Sequence, residues 1–223
     1  MLNGGKESEN IEQIAEEYLK LLEKNQIKPP YILGGSSYGG IIAYHMAQIL
    51  NNNTILLLID SPAPTALPKI MSDSEIIEYL VKYGLTNLSI NLNILKSFTD
   101  VEAQMDYIEQ KGKGSALEHL TNKEFMKNFI KTWQAHSNTI HKYVPSSYNG
   151  KIVFFSHSEV IEEFPTNQYL HWAPLAKQGL QNYYVPGNHI SMNSKPYVEE
   201  MAKKLYEIIT KESKLRVGGN FIT

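Results

Sequence analysis

An α/β fold with a mostly parallel sheet is the architecture this sequence predicts, on three observations. Thr54–Ile59 and Lys151–Phe155 are short, nearly continuous apolar runs, the composition of strands covered on both faces. Helical patterns, with apolar residues three and four apart, alternate with them. A glycine-rich turn, Gly34-Gly35-Ser36-Ser37-Tyr38-Gly39-Gly40, joins one strand to the helix after it.

The elements follow in order. From Asn10, the residues Ile11, Ile14, Tyr18, Leu21 and Leu22 form one apolar helix face, and Lys28-Pro29-Pro30 stops the helix. Tyr31–Leu33, bounded by Pro and Gly, reads as the first strand. Gly39–Leu50 reads as a helix ended by Asn51-Asn52-Asn53, and Thr54–Ile59 as the second strand. From Ser61 to about Asn149 the texture is helical, with pieces near 74–83, 100–111 and 121–143. This block, 61–149, is too long for an ordinary crossover and is expected to be an inserted helical lid. Lys151–Phe155 is the third strand, a helical stretch lies near 168–178, and Gln181–Val185 is the fourth strand. Pro196–Lys211 closes the fold as a helix with Val198, Met201, Ala202, Leu205 and Ile208 on one face. Residues 1–9 and 213–223 are expected to be tails of a single domain.

Composition narrows the chemistry. The 223 residues suffice for one domain with its own core. The absence of cysteine excludes a disulfide scaffold, a thiolate nucleophile and Cys-ligated metal sites. Twenty-one basic against 23 acidic residues give a net charge of −2, which argues for neither a nucleic-acid partner nor an anionic membrane. Arg216 is the single arginine, so guanidinium clamps on phosphate are nearly absent. The seven histidines include no H-x-x-x-H or H-E-x-x-H pair, so no metal is expected. Met1–Lys6 lacks the basic-then-apolar pattern of a signal peptide, and a cytoplasmic location is expected.

The glycine-rich turn contains G-x-S-x-G, with Ser37 between Gly35 and Gly39. Such a serine sits on a strained strand-to-helix turn that pushes its hydroxyl out of the end of the sheet. Flanking glycines let the backbone pass without Cβ clashes. The N–H of Tyr38 opens the helix and can stabilise an oxyanion. A nucleotide-binding turn is the rival reading, but the spacing lacks G-x-G-x-x-G and no P-loop lysine follows.

A serine nucleophile needs a base, and the base an orienting acid. His189, in Pro186-Gly187-Asn188-His189-Ile190, follows the last strand at the same carboxyl edge of the sheet. His157 and His171 fall after the third strand and receive no role. The chain has four aspartates, and Asp60 alone ends a strand. Asp60 is therefore preferred as the acid, with Glu159, Glu162 and Glu163 after the third strand as rivals. Ser37, Asp60 and His189 then follow the Ser–acid–His order of the α/β hydrolases.

The run Tyr31–Ala47 resembles the elbow of the thioesterase domains of nonribosomal peptide and polyketide synthetases. Ile14–Tyr18 is similar to the helix before it, Leu57–Ser61 to that family's acid-bearing strand, and Gly187–Met192 to its histidine loop. The likeness covers about residues 10–212. It implies a Ser37-His189-Asp60 triad, since the acid in this family follows the strand next to the elbow. It also implies no bound cofactor, a substrate presented on the phosphopantetheine arm of a carrier domain, and release by hydrolysis or cyclisation. The lid would shape the acyl pocket. Tyr79, Tyr83, Leu95, Phe98, Phe125, Phe129 and Trp133 are candidates for its lining, although their helical spacing favours plain core.

One departure stands out. In the fold template several strands precede the elbow, and a loop after one of them donates the second oxyanion N–H. Here one strand precedes Ser37, so the sheet is expected to be N-terminally truncated and to lack that donor. Losing one such donor typically costs ~10²–10³ in rate. The open edge of the first strand invites pairing with another chain. Self-association into a homo-oligomer, or poor catalysis, is therefore expected.

Overall fold

The four expected strands pair in parallel as β1 (Tyr31–Ser36), β2 (Thr54–Ile59), β3 (Ile152–His157) and β4 (Leu180–Val185), in the spatial order β1-β2-β3-β4. The computed structural model describes residues 10–51, 54–66, 70–159 and 167–218. The expected tail 1–9 and the rival acids Glu162 and Glu163 lie outside them. β1 runs past Leu33 to Ser36 because Gly34, Gly35 and Ser36 find ladder partners in Leu57, Leu58 and Ile59. Among the described residues β1 is paired on one side only, and Ile32 on it is 43% exposed.

The inner strands explain the apolar runs. Leu56, Leu58, Ile152 and Phe154 face a core shared with helices α1 (Ile11–Lys24) and α2 (Tyr38–Leu50). Ile55, Leu57, Val153 and Phe155 face the opposite core, with Met201 and Ile208 of the closing helix. With every other residue facing each way and both faces covered, no polar alternation remains in the sequence.

Asn10 caps α1, its side chain accepting from the Gln13 N–H at 2.8 Å. The buried stripe of α1 is Ile11 and Ala15, flanked by Ile14, Leu19 and Leu22; Tyr18 and Leu21 stay 39% and 43% exposed. Periodicity alone over-counts here, because α1 buries only the narrow stripe that meets α2.

The block between β2 and β3 is helical as expected, with its own core. It comprises α3 (Asp73–Tyr79, continued by a π-turn Leu80–Gly84), α4 (Leu92–Ser97), α5 (Val101–Gly112), α6 (Glu118–Thr121) and α7 (Lys123–Lys142). Ser72 and Glu75 close a reciprocal capping box at the start of α3. Ile76, Ile77, Leu80, Leu85, Leu95, Met105, Ile108, Met126 and Ile130 form the core. Leu95 is thus core rather than pocket lining. Tyr79 and Tyr83 pack with Trp133 and touch Ile190, beside the loop that carries His189.

After β3, the stretch expected as one helix near 168–178 is a single turn, α8 (Tyr169–Trp172), tightened into a 3₁₀ turn at Ala173–Leu175. The Trp172 ring is fully buried and its indole N–H donates to Ser61 O at 2.8 Å. The closing helix α9 spans Tyr197–Gly218, past Lys211 into the segment expected as tail. No helix among the described residues is long and apolar enough to cross a membrane.

Candidate active site

The turn from β1 into α2 places Ser37 at φ 50° and ψ −124°, a conformation L-residues rarely adopt. The Ser37 N–H donates to Ile59 O at 2.9 Å, so β2 holds the turn in place, and the Gly40 N–H returns to Ser37 O at 3.0 Å. Gly35 passes so close to α2 that a Cβ there would lie 2.2 Å from Gly39 O. At Gly40 a Cβ would lie 1.9 Å from the Ser61 Oγ. Gly39, the second glycine of the motif, has nothing within 4 Å of where its Cβ would be. The steric need for glycine is therefore at 35 and 40, and the expectation for Gly39 is corrected: helix and strand meet one residue later than the motif suggests.

This contrast has a measurable consequence. Gly35→Ala is expected to cost at least about 3 kcal/mol, because the clash is with backbone that cannot rotate away. Gly39→Ala is expected to fold with stability within about 1 kcal/mol of the parent. Thermal unfolding of the two variants checks this.

Tyr38 is the first residue of α2, where backbone N–H groups lack an intrahelical acceptor. Its ring is held by α7: it stacks on His136 at 3.8 Å between centroids and 7° between planes. The Tyr38 hydroxyl and Thr139 Oγ1 share a 2.8 Å hydrogen bond. Burial of His136 in this stack pushes its pKa down to about 4, so the ring is neutral at pH 7. α7 thereby packs directly on the residue after Ser37.

At the end of β2, Asp60 turns its backbone to φ 45° while its N–H donates to Phe155 O of β3 at 2.8 Å. Its side chain is 1% exposed. The His189 loop is shaped by its own side chains: Asn188 Oδ1 accepts from the N–H groups of Ile190 and Ser191, both at 3.0 Å. Ser191 Oγ accepts in turn from the Asn188 N–H at 2.9 Å. Gly187 enters the loop at φ 93°, which favours glycine. The fully buried Met192 pins the far end to the core beneath α9.

These devices bring Ser37, Asp60 and His189 together. The His189 Nδ1 lies 2.6 Å from Asp60 Oδ2, and its Nε2 lies 3.1 Å from Ser37 Oγ. A carboxylate can only accept, so the proton sits on Nδ1 and the Nε2 lone pair faces the hydroxyl. Burial raises the pKa of Asp60, but hydrogen bonds from His157 and His189 outweigh it and hold the carboxyl below its usual range. The rival Glu159 is exposed.

One partner was not foreseen. His157, the last residue of β3 and fully buried, places its Nδ1 2.7 Å from the same Asp60 Oδ2. Its position at the carboxyl edge, one strand beyond Asp60, was the available signal. His136 meets the site only through the Tyr38 ring, while His45 bonds Tyr143 and His141 bonds Ser137 O.

A parallel sheet with a strained serine at its strand-to-helix turn, and a histidine loop beyond its last strand, is the architecture of the α/β hydrolases. Within that class the chain belongs to the thioesterase domain family, whose model matches residues 2–209. A segment of 61 residues is 49% identical to non-reducing polyketide synthase 1 of Elsinoe fawcettii, covering 26% of this chain and 3% of that protein. Among solved structures, the four-domain nonribosomal peptide synthetase holo-AB3403, bound to AMP and glycine, superposes with a TM-score of 0.71. It is 22% identical, over 93% of this chain and 16% of that one. The RedJ thioesterase from the prodiginine pathway of Streptomyces coelicolor superposes with a TM-score of 0.59 at 17% identity, over 88% of this chain and 70% of its own. At these identities the structural likeness is one of fold.

Proposed function

We propose that this domain releases an acyl or peptidyl chain from the phosphopantetheine thioester of a carrier domain, through an ester on Ser37. The observation that carries the reading is the hydrogen-bonded series Ser37–His189–Asp60 on a thioesterase-family fold. His189 Nε2 takes the hydroxyl proton as Ser37 Oγ attacks the thioester carbonyl. The N–H of Tyr38 supports the oxyanion. The C–S bond then breaks, and the imidazolium returns its proton to the leaving thiolate. Water, or an internal amine or hydroxyl of the chain, attacks the Ser37 ester with His189 again as base. The product is an acid or a ring, and Ser37 regains its proton. Asp60 stabilises the imidazolium in both halves. The lid, packed on Tyr38 through α7 and on Ile190 through Tyr79 and Tyr83, bounds the acyl site.

The test compares an acyl N-acetylcysteamine thioester with the matching oxygen ester. The expected result is a kcat/KM at least about tenfold higher for the thioester, ~1.4 kcal/mol of transition-state preference. Preference for the oxygen ester would identify a carboxylesterase. No turnover of either, with no fluorophosphonate adduct on Ser37, would identify a non-catalytic carrier-binding module.

A further inference from the structure

We propose that His157 is a positioning residue for the reaction: its Nδ1–H fixes the Asp60 carboxylate in the orientation that holds His189 against Ser37. This rests on the reading of Ser37 as nucleophile and His189 as base, and adds a fourth member to their hydrogen-bonded series.

The geometry is specific. One oxygen, Asp60 Oδ2, receives both imidazoles, at 2.6 Å from His189 and 2.7 Å from His157. A carboxylate is acceptor-only, so His157 presents its Nδ1–H as His189 does. The two histidines reach Asp60 from different elements, His157 from the end of β3 and His189 from the loop after β4. The terminal torsion of an aspartate is broad and roughly two-fold, so a single donor leaves the carboxyl group free to swing. A second donor from a rigid, fully buried strand end removes that freedom. Asp60 also needs the restraint, since its backbone sits at φ 45°. The neighbouring bond from the Asp60 N–H to Phe155 O ties the same two strand ends together, so β3 holds the acid by backbone and side chain alike.

His157 transfers no proton in this role. It shares the charge of the carboxylate and sets its direction, while His189 alone exchanges a proton with Ser37. A buried histidine that only fills the core would influence stability and leave the reactivity of Ser37 alone. The two roles separate experimentally.

The experiment measures the rate of Ser37 modification by a fluorophosphonate in the full chain, which depends on activation of the hydroxyl and not on the natural acyl group. His157→Leu keeps bulk and removes the donor. His157→Asn puts an amide nitrogen where Nδ1 stood. His157→Gln carries its amide nitrogen further out, near the place of Nε2. The expected result is a loss of about tenfold or more in the maximal rate of modification for Leu and Gln, with half-saturating probe concentration little changed. The Asn variant is expected to stay within about threefold of the parent. If Leu fails to fold, the comparison of Asn with Gln decides. A parent chain that is modified, with Leu and Gln modified equally fast, would overturn this proposal alone, as would equal losses in Asn and Gln. A parent chain that is not modified at all would overturn the reading of Ser37 as nucleophile, and this proposal with it.

Discussion

Ser37→Ala is expected to lower kcat by about 10³–10⁶-fold and to abolish fluorophosphonate modification, because it deletes the atom proposed to carry the acyl group. Groups that act as a unit lose almost everything with one member, so the residual rate reflects oxyanion support and binding alone. The fold is expected to survive. Ser37 makes no side-chain capping bond to α2, and its hydroxyl meets His189 at the site. Strain points the same way. At φ 50° and ψ −124° any Cβ is disfavoured, so Ser37→Gly is expected to be as inactive as Ser37→Ala and more stable than the parent by about 1 kcal/mol. For a chain of this length that is a rise of roughly 2–4 °C in Tm. Turnover, intact-mass analysis after probe treatment and thermal unfolding check the three statements. An active Ser37→Ala protein would overturn the assignment of the nucleophile.

Asp60→Asn is the second large effect, an expected loss of about 10³–10⁴ in kcat. The amide keeps the shape but removes the negative charge proposed to stabilise an imidazolium at His189. Its NH₂ also competes with the two imidazole N–H donors that now converge on one oxygen. The loss is expected to be the same across neutral pH, since Asp60 is held below the usual carboxylate range and is ionised throughout. The linkage to stability has a definite sign. A carboxyl whose pKa is depressed on folding contributes stability above its unfolded value, about 4, and loses it as pH falls through the folded value. The parent is therefore expected to lose stability below about pH 4, and Asp60→Asn to lose less over that window. Parallel pH titrations of unfolding compare them.

Much of this architecture was legible because its signals are local. β2 and β3 declare themselves as apolar runs with no polar alternation, which a doubly covered strand requires. G-x-S-x-G declares the turn because Gly35 cannot carry a side chain 2.2 Å from Gly39 O. Asp60 stood out as the aspartate at a strand end, and His189 as the histidine of a glycine-bearing loop after the last strand. Other features have no local signal. Tyr18 and Leu21 fit the helical period of α1 yet remain exposed, since the width of the buried stripe depends on what α1 packs against. The short helices α4 and α6 are too brief to show a period. The need for glycine at 40 rather than 39 comes from the approach of Ser61, which the chain reaches only after β2.

By itself, then, the sequence determined the strand order of chemistry: a serine after β1, an acid after β2, a histidine after β4, on a parallel sheet with a helical block between β2 and β3. Tertiary structure decided which groups touch. Parallel strands bring residues far apart in the chain to one edge, and only the register there sets distances of 2.6–3.1 Å among Ser37, Asp60 and His189. It set His157 on the same carboxylate, and stacked His136 of α7 on Tyr38. A hydrogen bond depends on tenths of an ångström, and those are settled by the packing of neighbouring elements, which no stretch of sequence contains alone.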